Sequence, residues 1–410
     1  MNSKDYMALE EKYGAHNYHP LPVVIQKGKG TFVWDVEGRR YFDFLSAYSA
    51  VNQGHCHPRI IEALVDQASK LTLTSRAFYN DQLGLFEEKL HQIFGYERAL
   101  PMNTGAEAVE TAIKLCRKWA YEVKGIQPNK AKIVFFESNF HGRTLGAISA
   151  STESSSTGGF GPYLPGITIL PYGDLEAAQE CLASDDTIAG VIIEPIQGEA
   201  GVIIPPEGYL KNLFILCKQR NILFIADEIQ TGLGRTGKML ACDHEGIRPD
   251  VVLLGKAISG GMMPVSVILS DKSVMDVIRP GQHGSTYGGN PLAARVASVA
   301  LDVLIEEKMA ENAASLGNIL SDALTSLKID TSLISSVRGK GLFHAIELDD
   351  DPDGNTAWNI CLALAKQGLL AKPTRGNIIR LAPPLVINLA EIEESISIIN
   401  QVIMSHMAIA

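Results

Sequence analysis

The sequence predicts an α/β fold in which a large domain is built on a mostly parallel sheet and a smaller domain mixes helices and strands. Two observations indicate this class. The 410 residues exceed the length at which a single hydrophobic core usually stops growing. Between residues 131 and 269, short β-rich runs alternate with helical stretches, which is typical of a parallel sheet covered by helices. These runs are KIVFF, GVIIEP, ILFIADE, VVLLGK and PVSVIL.

The two ends of the chain have a different pattern from this central region. Near the N-terminus, GKGTFVWDVEGRRYFDFLS predicts a small antiparallel hairpin with Glu37 and Gly38 at its turn. After Pro291 the pattern changes to long helices with strands such as the one at 341–348. We therefore expect the N- and C-terminal segments to form the smaller α+β domain. The predicted division is 1–48, 49–292 and 293–410.

A helix is predicted from residue 103 to residue 119. Thr104 and Glu107 have the spacing of a capping box. Apolar residues recur on one face, at Val109, Ile113 and Cys116. The first turn is NTGAEA, so the N–H groups of Gly105 and Ala106 lie at a helix N-terminus. Unpaired donors and the helix dipole favour a bound anion at that position, although an ordinary capped helix has the same sequence pattern.

Bulk composition excludes several classes of function. The net charge is −10 and no basic tract is present, so nucleic acid is not an expected partner. No apolar run approaches the ~20 residues of a membrane helix. The N-terminal MNSKDYMALEEKYG lacks the apolar region of a secretory signal. The six cysteines are scattered, which favours reduced thiols in a cytoplasmic compartment and no metal site. An organellar matrix reached after removal of a presequence stays open.

Two motifs suggest other functions but lack essential residues. Residues 232–238 spell G-x-x-x-x-G-K, most of a nucleotide-binding P-loop, but Met239 stands where the motif needs Ser or Thr to hold Mg²⁺. The acids just before this loop also oppose a triphosphate. The triplet at 55–57, His-Cys-His, lacks a nearby third metal ligand, and a turn before Pro58 is the simpler reading.

An acid and a lysine end two apolar runs. Asp227 closes LFIAD, and Lys256 follows VVLLG. In open α/β sheets the carboxyl ends of strands are where ligands bind. A pyridoxal phosphate site requires a lysine that forms a Schiff base with the cofactor aldehyde and an acid that pairs with the ring nitrogen. These two residues, with the helix N-terminus as a phosphate receptor, therefore predict such a site.

The chain resembles the fold-type I, class III pyridoxal-phosphate aminotransferases along nearly its whole length. The resemblance is carried by YGAHNYHPLP, FLSAYSAVNQGHCHP, NTGAEA, NFHGRT, EPIQGEAG, ADEIQTGLGRTG, LLGKAISGG, HGSTYGGNP and IIRLAPPLV. It implies that Lys256 is the Schiff-base lysine and proton shuttle and that Asp227 pairs with the ring nitrogen of pyridoxal 5'-phosphate. It further implies that Gln230 bonds to the ring hydroxyl and that Phe140 stacks on the ring, although Phe140 could also be an ordinary buried aromatic side chain.

The resemblance also implies a shared cofactor site. Gly105 and Ala106 bind the phosphate at the helix N-terminus. Ser285 and Thr286, in HGSTYGGNP, belong to the same cofactor-binding set, with Thr286 reaching the phosphate of the neighbouring subunit's cofactor. The active unit implied is a homodimer or a higher homo-oligomer.

Within the family, Tyr18, Tyr48 and the setting of Arg143 resemble the branch that acts on ornithine. That resemblance implies transfer of the δ-amino group of L-ornithine to 2-oxoglutarate. Arg143 would hold the α-carboxylate of ornithine and Arg380 that of glutamate. Glu199 would pair with Arg380 when no carboxylate is there, and the two tyrosines would shape the pocket.

Rival interpretations remain at this point. Other class III ω-aminotransferases, acting on acetylornithine or 4-aminobutyrate, and aminomutases share Lys256 and Asp227. A nucleotide-binding protein and a non-catalytic relative are the alternatives outside this class of enzyme. The sequence also leaves open whether the reaction serves proline synthesis or arginine breakdown.

Overall fold

The fold was obtained as a computed structural model, which describes residues 1–407. The N-terminal part contains a helix, a three-stranded antiparallel unit and three further helices. The predicted hairpin is confirmed: β2 and β3 pair antiparallel, and the chain turns at Val36 and Glu37 with Gly38 at a φ of +86°. In chain order these elements are α1 (Ser3–Tyr13), β1 (Ile25–Lys29), β2 (Phe32–Asp35), β3 (Arg40–Asp43), α2 (Ser46–Ser49), α3 (Pro58–Ala68) and α4 (Leu83–Phe94).

The central part forms a seven-stranded sheet. Its elements are β4 (Arg98–Met102), α5 (Gly105–Trp119), β5 (Lys132–Phe136), α6 (Leu145–Ile148), α7 (Ser154–Thr157), β6 (Ile167–Leu170), α8 (Leu175–Ser184), β7 (Ile188–Ile193), α9 (Tyr209–Gln219), β8 (Leu223–Asp227), β9 (Val251–Leu254), β10 (Ser266–Ser270) and α10 (Lys272–Met275). The five β-rich runs read from the sequence are all strands. The strand order is β4-β10-β9-β8-β7-β5-β6.

This sheet is mostly parallel, as predicted. Strands β5 to β9 pair parallel to one another, whereas β10 is antiparallel to both of its neighbours. Every residue of β7, β8 and β9 is buried. Continuous apolar strands of this kind are expected where helices cover both faces of a sheet. The sheet therefore holds the residues that follow its strands in a fixed arrangement.

The predicted helix at 103–119 is α5. It begins at Gly105 after the N-cap Thr104, and the capping box with Glu107 is present. Its apolar face is buried against the sheet, including the residues expected there: Val109, Ile113 and Cys116. The helix therefore starts one residue after the cap that the sequence predicted.

The C-terminal part contains the predicted long helices and strands. In chain order these are α11 (Pro291–Glu306), α12 (Met309–Asp330), β11 (Ile334–Lys340), β12 (Phe343–Leu348), α13 (Thr356–Lys366), β13 (Leu369–Leu370), β14 (Lys372–Thr374), β15 (Ile378–Leu381) and α14 (Leu389–Met407). Strands β11, β12, β15 and β14 form an antiparallel sheet in that order. None of the helices within residues 1–407 is long and apolar enough to cross a membrane.

The two ends of the chain are joined by one sheet. Strand β13 pairs parallel with β3, so that Leu369 lies beside Phe42. Helix α11 packs against α3, α4 and the 3-10 turn that begins at Lys256. The domain limits at 48/49 and 292/293 stay predictions.

The G-x-x-x-x-G-K stretch forms a series of turns after β8. The next regular element is a 3-10 turn at Ala241–His244, not the α-helix that receives the phosphates in a P-loop. The loop is held to the strand end, where the Gly232 N–H donates to the Glu228 carbonyl at 2.9 Å. This hydrogen bond attaches the start of the loop to the residue that follows β8.

Candidate active site

The carboxyl ends of three neighbouring strands border a cavity of about 190 Å³. Glu194 follows β7, Asp227 ends β8, and Lys256 follows β9 after one glycine. The order β9-β8-β7 brings these three side chains to one edge of the sheet, where open α/β folds bind ligands. The lining residues are Gly105, Ala106, Phe140, His141, Gly142, Glu194, Glu199, Asp227, Ile229, Gln230 and Lys256.

Asp227 is held by a buried histidine. Its Oδ2 lies 2.6 Å from Nδ1 of His141, and its Oδ1 accepts a hydrogen bond from the Ile229 N–H at 3.2 Å. Burial lowers the pKa of His141, but the hydrogen bond and charge of Asp227 outweigh that effect and raise the pKa overall. The two contacts hold the carboxylate in place at the cavity, which it lines.

Lys256 lies on the cavity wall in an uncommon backbone conformation. Its φ is +45°, a region that non-glycine residues occupy at a cost and that clusters at functional sites. Burial lowers the pKa of its amino group, and the charge of Glu199 offsets only part of that shift. A lowered pKa increases the share of neutral amine, which is the form that attacks an aldehyde or accepts a proton.

The N-terminus of α5 lies at the cavity wall. Thr104 Oγ1 accepts from the Glu107 N–H at 3.2 Å, and Glu107 Oε2 accepts from the Thr104 N–H at 2.8 Å. The first N–H groups of a helix have no partner inside it. Gly105 and Ala106, in this first turn, line the cavity. A phosphate at this position would receive hydrogen bonds and the favourable end of the helix dipole.

The remaining cavity groups fit pyridoxal phosphate. Within residues 1–407, His141 Nε2 and Gln230 Oε1 are buried without a hydrogen-bond partner, so polar ligand groups are expected beside them. A Cβ at Gly198 would lie 1.7 Å from Gln230 Oε1, so only glycine allows the amide to sit there. Phe140 adds an aromatic ring to the wall. Acid, lysine, aromatic ring, amide and helix N-terminus together match the groups of this cofactor.

Glu199 and Arg380 form a two-point ion pair beside this cavity. Nη1 lies 2.8 Å from Oε1, and Nη2 lies 3.2 Å from Oε2. Burial raises the pKa of Glu199, but the charge and hydrogen bonds of Arg380, together with the charge of Lys256 and a hydrogen bond from Gln230, outweigh burial and lower the pKa overall. The Arg380 guanidinium carbon is also 4.8 Å from the ring centre of Tyr48. Tyr48 belongs to α2, a single turn in which all four residues have positive φ.

A second cavity of about 460 Å³ continues from the first toward the surface. It shares Phe140 and Glu199 with the inner cavity, and exposed Arg143 lines it. The guanidinium carbon of Arg143 is 5.8 Å from the ring centre of Phe140. Glu153 and Arg375 form an ion pair of 3.1 Å in this outer wall. The guanidinium of Arg143 thus faces this outer cavity.

Besides Tyr48, Arg143 and Arg380, three further predicted site residues do not line the inner cavity. Tyr18 is 68% exposed and lines a separate cavity of the N-terminal segment. Burial is the main cause that raises the pKa of Tyr48, and nearby Tyr18 adds a smaller contribution in the same direction. Ser285 Oγ accepts a hydrogen bond from Asn103 Nδ2 at 3.1 Å. Thr286 is exposed. The roles predicted for these three residues stay predictions.

The sequence analysis assigned no role to two titratable residues of the cavity, Glu194 and His141. Glu194 could have been found, because it follows a buried apolar strand in the same way as Asp227. His141 carries no such signal, since it lies in an irregular loop that only the fold brings to Asp227.

Comparison with known proteins agrees with this geometry. Residues 13–403 match the model of the family described as Aminotransferase class-III. The chain belongs to this family, and it is a pyridoxal-phosphate-dependent transaminase.

Individual members of the family are similar to this chain over nearly its whole length. The mitochondrial ornithine aminotransferase of Rattus norvegicus is 60% identical over 396 residues, which cover 97% of this chain and 89% of the relative. The ornithine aminotransferase structure from Toxoplasma gondii matches with a TM-score of 0.98 at 46% identity, covering 100% of this chain and 97% of that one. The acetylornithine aminotransferase structure from Elizabethkingia anophelis matches with a TM-score of 0.91 at 56% identity, covering 99% and 100%.

Proposed function

We propose that this transaminase moves the δ-amino group of L-ornithine to 2-oxoglutarate, giving glutamate-5-semialdehyde and glutamate. The observation that carries the proposal is the ion pair between Glu199 and Arg380, with its two contacts of 2.8 and 3.2 Å. The full-length similarity to ornithine aminotransferases supports the same substrate.

The ion pair explains how two substrates of different charge use one site. Glutamate and 2-oxoglutarate carry a carboxylate next to the reacting carbon, and Arg380 binds it after release from Glu199. The δ-carbon of ornithine carries no carboxylate. Glu199 then stays on Arg380, because a buried guanidinium left without a partner would be strongly destabilising.

Arg143 selects the far end of both substrates. In this proposal its guanidinium binds the α-carboxylate of ornithine or the side-chain carboxylate of glutamate. Its place in the outer cavity supports that role. A planar guanidinium binds a carboxylate through two parallel hydrogen bonds, which fixes direction as well as charge. Tyr18 and Tyr48 bound the same space.

When bound, pyridoxal phosphate supplies an aldehyde for the amine and a ring that spreads the electrons left when a substrate proton is removed. Lys256 would hold the cofactor and accept that proton at its Nζ, a role favoured by the lowered pKa of its amine. Asp227 holds the ring nitrogen protonated, and His141 keeps the Asp227 carboxylate in place.

We further propose that the enzyme works as a homodimer with shared sites. Thr286 and Tyr287 are exposed and do not line the cavity of their own chain. Phe78 and Tyr79 are also strongly exposed, at 69% and 100%. Large apolar side chains on a surface are typical of a subunit interface. Sedimentation analysis should give twice the monomer mass, and Thr286→Val should weaken cofactor binding.

The test of the substrate is spectroscopic. The purified protein should be yellow, and L-ornithine added without an oxo acid should bleach the visible band within one turnover. A yellow protein that ignores ornithine would contradict the substrate and leave the class intact. A protein that takes up no cofactor would contradict the whole proposal.

Acetylornithine is the second candidate, because a structure carrying that name matches this chain at 56% identity. The two substrates differ at the α-nitrogen, which is a cation in ornithine and a neutral amide in acetylornithine. Comparing the two as amino donors under identical conditions decides between them. We expect ornithine to have the higher kcat/KM, and Tyr18→Phe to reduce that preference.

A further inference from the structure

Glu194 is a buried carboxylate that the reaction described above does not use. It follows β7, the neighbour of the strand that ends in Asp227, and it lines the inner cavity. Within residues 1–407, Glu194 forms no ion pair with Lys or Arg. Carboxylates are rarely buried without a cation unless hydrogen bonds hold them.

The two oxygens of Glu194 accept hydrogen bonds from two different loops. Oε1 accepts from the Phe140 N–H at 2.8 Å, and Oε2 accepts from the Gly198 N–H at 3.2 Å. The first loop contains the aromatic ring of the cavity wall, and it continues to His141 and Arg143. The second loop contains Glu199, the partner of Arg380. One side chain therefore joins the cofactor wall to the substrate ion pair.

No other group can replace this link without loss. An apolar residue at 194 would leave both N–H groups buried and unpaired, at the full cost of their desolvation. An amide has one acceptor oxygen and a donor NH₂ group. Glutamine at this position could therefore keep one of the two bonds and would set its NH₂ against the other N–H.

We propose that Glu194 is a positioning residue that sets the distance between the ring-facing loop at Phe140 and the Glu199 loop, and so couples cofactor binding to the choice of amino donor. The part of this inference that concerns the amino donor rests on the function proposed above. The part that concerns the cofactor does not.

The test compares Glu194→Gln with Glu228→Gln. Glu228 is a matched control because it is equally buried, directly follows Asp227, and also holds two groups, the Thr231 hydroxyl and the Cys242 N–H. It does not line the cavity. Each variant is titrated with pyridoxal phosphate to give a Kd. Each is then mixed with ornithine alone or glutamate alone, to give the rates of the two half-reactions.

At a pH above about 8, where Glu194 has lost its proton, we expect Glu194→Gln to raise the Kd of pyridoxal phosphate about tenfold, the equivalent of one buried hydrogen bond to a charged group. The ratio of the ornithine rate to the glutamate rate should change at least about threefold. Glu228→Gln should lower the melting temperature and leave the Kd and the ratio unchanged. An unchanged Kd and ratio in Glu194→Gln, or equal changes in both variants, would overturn the proposal.

A second measurement needs no variant. Hydrogen exchange of the wild-type protein, read by mass spectrometry, compares peptides covering 138–143 and 197–200. Because one carboxylate holds both N–H groups, the two peptides should open together and at similar rates. Rapid exchange of one peptide beside a protected other would overturn the link. A protein that ignores ornithine would refute the proposed substrate, whereas the Kd and exchange results would still decide the role of Glu194.

Discussion

Asp227 and Arg143, which belong to the proposed active site, are held in different ways. Asp227 ends a strand whose every residue is buried, and a buried histidine fixes its carboxylate at 2.6 Å. Arg143 lies exposed on a loop, and the groups around it come from distant parts of the chain. The part of the site proposed to bind the cofactor, here called the cofactor end, is thus held by the strands of one sheet. The part proposed to bind the substrate carboxylates, here called the substrate end, is built from several separate segments of the chain.

The difference teaches how such a site can vary. A strand-end residue is fixed by the packing of the whole sheet, so substitutions there affect chemistry and stability together. Loop residues contact fewer neighbours, and they can change substrate choice with little effect on the fold. Side chains at the cofactor end should therefore give large effects that do not depend on the substrate. Those at the substrate end should give smaller, selective effects.

The largest effect is expected from Asp227→Ala. Without the carboxylate, the ring nitrogen loses its proton and no longer draws electrons from the substrate carbon. We expect kcat to fall about 10² to 10⁴-fold with ornithine and with glutamate alike. Single-turnover rates at saturating pyridoxal phosphate measure this. Full activity with bound cofactor, or a loss confined to one substrate, would contradict the assignment of this end of the site.

The next effect concerns pH and stability. Burial and the charge of Asp227 raise the pKa of Glu194 from 4.5 to about 7, against the opposing charge of His141. Between these values the unfolded chain has lost a proton that the folded protein keeps. Stability should therefore decrease as pH rises from about 4.5 to about 7, by on the order of 3 kcal/mol, and then level off.

Urea unfolding of the apoprotein, compared with Glu194→Gln, isolates this contribution. The other groups facing Glu194, which are His141, Asp227 and Tyr172, are the same in both proteins. We expect the wild-type advantage over the variant to shrink between pH 5 and pH 7. A difference that stays constant over this range would show that Glu194 does not retain its proton.

At the substrate end, Glu199→Ala should alter discrimination. Arg380 is then always open to a carboxylate, so glutamate gains relative to ornithine. We expect the ratio of kcat/KM for ornithine to that for glutamate to fall about tenfold, with cofactor affinity little changed. Glu347→Ala is the control, because it breaks a pair with Arg338 in the same antiparallel sheet and neither partner lines either cavity. Equal ratios in the two variants would contradict the ion-pair switch.

The smallest effect is expected from Tyr18→Phe. Tyr18 is mostly exposed, so removal of its hydroxyl should raise the KM for ornithine only about two- to fivefold. The Kd of pyridoxal phosphate should not change. Tyr6→Phe is the matched control, since Tyr6 lines the same N-terminal cavity. A change in cofactor affinity would contradict the prediction that Tyr18 contacts the substrate and not the cofactor.

The same contrast explains how much the sequence could predict. Lys256 and Asp227 lie at the ends of apolar runs, and parallel strands bring such ends together. Composition and the order of the runs were therefore sufficient to predict that these two residues lie close together. Glu194 carries the same signal after GVII, but only the order of β7 beside β8 shows that it lies next to Asp227. The contacts of His141 and Arg143 could not be derived, since they lie on irregular loops whose paths depend on tertiary packing. For those loops only the resemblance to a family supplied a role.

The parallel pairing of β3 with β13 has a consequence for the folding of the chain. Leu369 and Phe42 are neighbours in one sheet but lie more than three hundred positions apart in the chain. During synthesis the free edge of β3 stays uncovered until β13, near the end of the polypeptide, has been made. Contacts of such long range form slowly, and uncovered strand edges promote aggregation. Truncation near residue 366 should therefore give an insoluble product, although the cofactor cavity lies entirely upstream of the missing part.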